Sequence, residues 1–425
     1  MQLQDGKLYI KKRTPQQWLT LFVLVMPFLL QTFLQLFGLP RVINYTIDVA
    51  WVVLLLMMFF KKQIEMPQNI VPFAVFVILI FVYSFIGYLF NFQSPFYFLW
   101  GVRNNFRFYI AFFAFVLYFE ADDIESIFKF LNVLFWIDVA VSLIQYLILG
   151  YEQDFLGGIF GVERGSNAST LIFFSVILLN SILLFFEGKE KVLVCLSKCA
   201  AALLIAALAE LKVFFVFFVV ILFATMIMTR ASWKKVVLSV VVVALILLSN
   251  TILIMIFESS ISLDSILKQV TASSYSTQQD LGRFTAIPTI SKTILTDIPA
   301  RLFGLGLGNC DTSSFAVCNT PFFETHQNMH YTWFSSAFLF LETGYVGLAL
   351  HFAFYIICFV GAVKMYRRKE GNRVYQQMAI IMSILCVGLV FYNSSLRTEA
   401  AYIVYFILSL PFIEAKNNVY VRHGG

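Results

Sequence analysis

Charge is what this chain has least of. Only 13% of its 425 residues are charged, against about a quarter in soluble proteins, so an ordinary soluble enzyme is excluded. Histidine is scarce, at four residues. No His-Glu-x-x-His motif and no Asp-x-Asp motif is present to hold a metal, and structural or catalytic zinc needs three or four ligands. The run Gly304, Gly306, Gly308 lacks the strand, lysine and helix context of a nucleotide-binding loop. No array-type repeat, low-complexity tail or soluble domain stands out. The first apolar run is too long and too late for a cleaved signal peptide. Neither a metal nor a cofactor is expected, and no nucleic-acid partner.

What is abundant is grease: 60% of residues are hydrophobic, with 49 Phe and 19 Tyr. A transmembrane helix needs roughly 20 consecutive apolar residues, and such runs recur about every 30 positions. The expected fold is an all-α polytopic membrane protein of about 12 transmembrane helices, with the lipid bilayer as its solvent. Spans are expected near 18–37, 42–60, 70–90, 106–119, 127–149, 168–186, 192–209, 212–229, 236–257, 344–364, 375–392 and 398–413. Residues 1–257 then carry nine spans, 258–331 one large loop with short helices, and 332–425 a returning helix and three spans. The stretch "AELKVFF" reads as a tight hairpin. A single helix over 199–229 would be about 46 Å long, well beyond a hydrocarbon core of about 30 Å.

Positive residues favour the cytoplasm in short loops. With both termini inside, 20 of the 30 basic residues fall on the inner side, and the 258–331 loop lies outside. Ten remain outside: Arg41, Arg103, Arg107, Arg164, Lys212, Arg397, Lys268, Arg283, Lys292 and Arg301. Arg103, Arg107, Arg164, Lys212 and Arg397 fall in short outer loops, where this rule disfavours them. Snorkelling accounts for any one of them. Five arriving from distant loops point instead to an anion site, because arginine grips phosphate bidentately and stays charged.

The outer loop holds Cys310 and Cys318, with seven residues between them in sequence, a candidate disulfide in an oxidising compartment. Phe284, Ile287, Ile290 and Ile294 lie near helical spacing, which predicts an amphipathic helix against the membrane interface, stopped at Pro299. His326 and His330 follow, four residues apart. Beside a phosphate-competent surface, an imidazole can serve as the general base for a sugar hydroxyl.

The order of these features resembles the bacterial O-antigen polymerase and O-antigen ligase superfamily. The matching pieces are Arg164 in "GVERGSNAST", Lys212 in "AELK", Gly282 and Arg283, the "FGLGLG" turn, the histidine stretch and the closing "FLETGYVGLAL". The likeness covers roughly residues 150 to 355 as motif order, and each motif is short. It implies a glycosyltransferase of the bacterial cytoplasmic membrane acting on undecaprenyl-pyrophosphate-linked oligosaccharide, with a flippase and a chain-length regulator as companions. Arg164, Lys212 and Arg283 would bind the pyrophosphate or adjacent sugar, with Arg103, Arg107, Arg397 and Glu342 also counted as substrate-binding. Arg283 joins His326 and His330 as the catalytic candidates. Family members often place Asn directly after the His; here Asn follows His326 at the second position, and His330 lies twelve residues before Glu342. The choice between the histidines stays open, with His330 favoured for its shorter spacing. The aromatic richness resembles capsule and exopolysaccharide polymerases more than ligases. A ligase acting on another acceptor is the alternative, and a lipid-linked oligosaccharide flippase is the rival from a different class. Against the flippase stand the lack of internal repeats and of paired broken spans, with only Asp138 well inside a span.

Overall fold

The computed structural model describes residues 2–4, 7–9, 13–60, 70–229, 233–257, 272, 274, 280–313 and 318–423. Much of the early part of the expected loop, including Lys268, lies outside the described residues. Apart from a hairpin pairing Gln2–Gln4 with Lys7–Tyr9, the described secondary structure is helical. The helices α1 to α5 are Pro15–Phe37, Tyr45–Phe60, Val71–Phe90, Pro95–Tyr118 and Ala121–Leu147. Next come α6 Asn167–Phe186, α7 Val192–Leu208, α8 Lys212–Met228 and α9 Trp233–Phe257. Three short helices follow, α10 Ala286–Thr293, α11 Ile298–Phe303 and α12 Pro321–His326. The chain closes with α13 Ser335–Arg368, α14 Arg373–Tyr392 and α15 Ala401–His423.

A helix stands in each of the twelve expected intervals. Eight of them (α1, α2, α3, α5, α6, α9, α13 and α14) are long and apolar enough to cross a membrane by length and composition. Helices α7 and α8 are apolar but shorter, at 17 residues each. They are separated, as the length argument requires, by a turn in which Glu210 takes a left-handed backbone (φ 51°).

Helix α6 is enclosed on almost every face, while α9 lies at the edge against α7. Helix α15 runs beside α4 and α14, and α14 packs along α13. Their shared core is aromatic: Tyr109 meets Phe354 at 4.8 Å and Phe73 meets Phe412 at 4.9 Å, both edge-on. Such pairs contribute about 0.5–1.5 kcal/mol each beyond burial. Between lipid-exposed helices, close packing and polar contacts supply the association energy that the hydrophobic effect supplies in water.

Three expectations change. Helix α4 begins at Pro95, not near 106, so Arg103 and Arg107 sit within a helix instead of a short loop. Proline is well suited to a helix's first position because its missing N–H is not needed there. For the same reason Pro299 opens α11 instead of stopping a helix, with the Asp297 side chain capping Ala300 N at 2.9 Å. Helix α10 turns its apolar side inward: Ala286 and Ile290 are buried in a cluster with Phe338 and Leu341 of α13.

The glycine turn is a wedge between helices. Gly304, Gly306 and Gly308 all have positive φ. The amides of Leu305 and Gly306 donate to Leu341 O and Glu342 O at 2.8 and 3.0 Å, and a Cβ at Gly308 would strike the backbone of Tyr97. Opposite this turn Gly344 interrupts α13 at φ 65°, ψ −167°, where a Cβ would strike the Leu302 carbonyl.

Candidate functional site

The segment between α5 and α6 is non-helical for much of its length, and its backbone groups are satisfied by side chains from neighbouring helices. Gln145 bonds both the amide and the carbonyl of Gly158 at 2.8 Å, and Asp138 accepts from Ile159 N at 2.6 Å. Thr170 donates to Gly157 O and Gln35 accepts from Val162 N, each at 3.0 Å. Asp138 therefore acts as a buried cap between elements. The segment so held delivers Arg164 to a cavity.

That cavity, about 460 Å³, is formed where the start of α6, the α7–α8 turn, the end of α14 and residues 283 and 333–334 meet. Arg164, Lys212 and Arg283 all line it. Lys212 is the first residue of α8, and Asn167 ties the preceding turn to α6 by donating to Ala209 O at 3.3 Å. Arg283 lies over the ring of Tyr392 at 4.0 Å, and its neighbour Phe284 stacks on Phe391 at 5.8 Å. Two carboxylates share the cavity. Asp154 is 3.8 Å from Arg164 and Glu210 is 3.1 Å from Lys212. Both pairs are solvent-accessible, so each is weak and open to displacement by a stronger anion.

His330 stands beside this cavity. Its Nδ1 is 2.7 Å from Oδ1 of Asp280, whose side chain is fully buried. Its ring stacks on Trp333 at 4.0 Å, and the Arg164 guanidinium lies 5.0 Å from that same indole. A left-handed backbone at His330 (φ 51°, ψ 30°) turns the chain between two short 3₁₀ turns, a conformation that costs a non-glycine residue about 1 kcal/mol or more. With Nδ1 committed to the carboxylate, Nε2 is the nitrogen available to a hydroxyl. His326 has no such partner: it stacks on Phe322 at 4.3 Å and its Nδ1 is 3.2 Å from Phe322 O.

The other expected cations form a separate, interior network. Arg103 grips Asp48 through two contacts of 3.0 and 2.6 Å. Asn104 donates to Asp311, which also stands 3.9 Å from Arg397. Arg397 lies over the ring of Phe338 at 3.0 Å, and burial pushes its guanidinium down despite Asp311 and Glu342. Arg107 meets Glu399 at 3.1 Å and the Arg397 carbonyl at 3.2 Å. Glu342 is fully buried in the same region and accepts from Cys310 N at 3.4 Å. The single outer cluster expected from the loops is thus two clusters. Arg164, Lys212 and Arg283 share the cavity, while Arg103, Arg107, Arg397 and Glu342 are held with carboxylates inside the bundle.

Cys310 and Cys318 are free thiols, not the expected disulfide. Cys310 is packed inside the cluster of α10 and α13, to which Cys318 does not belong. Burial pushes the Cys310 thiol up, with Glu342 and Asp311 adding to it, and a thiol kept protonated is inert. Among the described residues no group of three or more His, Cys, Asp or Glu could hold a metal ion.

A larger groove of about 790 Å³ between α1 and α5 is lined by apolar side chains with Arg13 and Ser126. It has one charged group, and its one hydroxyl, Ser126, has no acid or base in the lining to activate it, so it offers nothing for chemistry.

No protein-family model and no curated protein matches this chain. Sequence reasoning missed Asp280, Trp333, Tyr392, Asp154 and Glu210. Asp280 stands three positions before Arg283, and Trp333 three after His330; proximity in sequence was their only signal.

Proposed function

We propose that this protein is a polysaccharide polymerase of the O-antigen or capsule type. It joins oligosaccharide repeat units carried on undecaprenyl pyrophosphate, at the outer face of a bacterial cytoplasmic membrane, with both chain ends in the cytoplasm. The observation that carries the reading is the convergence of Arg164, Lys212 and Arg283, from three distant segments, on one cavity next to a carboxylate-held imidazole.

In the proposed step the acceptor hydroxyl, from the non-reducing end of another repeat unit, gives its proton to His330 Nε2. Its oxygen bonds to the donor's anomeric carbon as the bond from that carbon to the pyrophosphate oxygen breaks. The pyrophosphate leaves with the electron pair, and the three cations stabilise the charge that develops on it. Asp280 orients the imidazole and stabilises its cationic form. General-base assistance is typically worth about 10²–10⁴ in rate. The growing chain is extended at its reducing end, one repeat unit at a time.

The test is incubation of purified protein with a lipid-linked repeat unit, followed by gel analysis. A ladder of products supports the polymerase. Transfer only to a foreign acceptor makes it a ligase, and translocation across a vesicle without a new bond makes it a transporter.

A further inference from the structure

Helices α8 and α14 both end at the cavity. Lys212 starts α8, and Tyr392 and Asn393 close α14; all three line the cavity. At their far ends the two helices are tied again, because Gln377 of α14 and Tyr366 of α13 both donate to Met228 O, at 3.0 and 2.8 Å. Between these ties Gly388 faces Phe217, and a Cβ there would sit 3.4 Å from the Phe217 ring. The absent side chain leaves a shallow place between the helices.

The residues flanking that place are apolar and exposed. On α8, Val216, Val219 and Phe223 are 38%, 51% and 66% exposed. They follow Lys212 at intervals of four, seven and eleven, so they lie on the helix face that Lys212 heads. On α14, Ile384 and Val387 are 45% and 42% exposed. An apolar strip therefore runs from the cationic cavity along the lipid-facing side of the bundle.

We propose that this strip binds the isoprenoid chain of the diphosphate lipid whose headgroup the cavity takes. The inference rests on the glycan-transfer reading and adds to it where the carrier lies. The charge pattern selects the occupant: two cations of the cavity, Lys212 and Arg283, stand at one end of an otherwise uncharged strip. A long apolar chain ending in a diphosphate matches that sequence of surfaces. The acyl chains of bulk phospholipid match the strip alone.

Two measurements on the full chain in phosphatidylethanolamine–phosphatidylglycerol nanodiscs test this. The first is photolabelling with a diazirine-bearing polyprenyl diphosphate that carries no glycan. Label is expected on α8 and α14 peptides, removed by unlabelled polyprenyl diphosphate and not by added phosphatidylglycerol. Label elsewhere, or label removed by phosphatidylglycerol, overturns the proposal. The second compares donors with the same glycan on a long polyprenyl chain and on a soluble short-chain prenyl diphosphate. Gly388→Phe and Val219→Trp should each raise KM for the long-chain donor about tenfold, as the lost burial of two methylene groups would. Turnover of the short-chain donor should not change. An unchanged long-chain KM in both variants overturns the proposal. Specific labelling without any transfer of either glycan leaves the strip standing and removes the polymerase reading instead.

Discussion

His330 and Asp280 meet at 2.7 Å across fifty positions of sequence, with the carboxylate fully buried and the imidazole 36% exposed. That contact separates two histidines which the sequence alone presents as near equals. Under the proposed reaction, His330→Ala and Asp280→Ala should each lower the rate of glycan transfer by about 10²–10⁴. His326→Ala should stay close to the parent rate. Turnover of a lipid-linked repeat unit by the purified variants is the check, and a larger loss in His326→Ala than in His330→Ala would reverse the assignment.

Arg164, Lys212 and Arg283 offer their charges to one space, so their removal should weaken binding of a diphosphate group. Alanine at each position is expected to raise the Kd for pyrophosphate by about tenfold or more, from the loss of a charge-assisted contact. Arg164→Lys and Arg283→Lys should recover little, because an ammonium cannot replace a two-pronged guanidinium. Calorimetric titration reads this directly. Equal binding by parent and triple variant would mean the cavity does not take this anion.

Arg107 and Glu399 belong to structure instead. Glu399→Ala leaves the buried Arg107 guanidinium without its carboxylate and should cost about 3 kcal/mol of stability, seen as a lower Tm in detergent with the cavity residues intact. The pair also sets a pH dependence. Burial pushes Glu399 up, but Arg107, its backbone hydrogen bond and Arg103 outweigh it and hold the carboxyl below its ordinary value. A lowered folded-state pKa contributes stability that is complete above the ordinary carboxylate range and is lost as pH falls through the folded value. Acidification should therefore narrow the Tm gap between parent and Glu399→Ala, whereas a constant gap would show no linkage through this group.

All six cysteines are free and buried. Alkylation of the denatured, unreduced protein should add six labels by mass, and alkylation of the native protein almost none. Four labels on the denatured chain would place a bridge where the structure has two thiols.

The opening of α8 at Lys212 was readable from length alone, since an unbroken helix there would overrun a bilayer. The break at Gly344 coincided with the expected start of a span for a similar local reason: only glycine tolerates that φ without strain. The set Arg164, Lys212 and Arg283 could be nominated through motif order. The start of α4 was misjudged because Arg103, Asn104, Asn105 and Arg107 break its apolar run. Their partners Asp48, Asp311 and Glu399 lie 55, 207 and 292 positions away, outside any window that periodicity can scan.

By itself the sequence determined where the long apolar helices lie, though not where α4 begins, because apolar runs, prolines and glycines act on their own neighbourhood. It led to an expectation of twelve membrane spans, and eight of the observed helices are fit to cross a membrane by length and composition. Only the tertiary structure decided which cations face a cavity and which are neutralised in the interior, and which imidazole has a carboxylate behind it. Charge interactions depend on distance in space, and the chain brings those distances about through packing that no local pattern encodes.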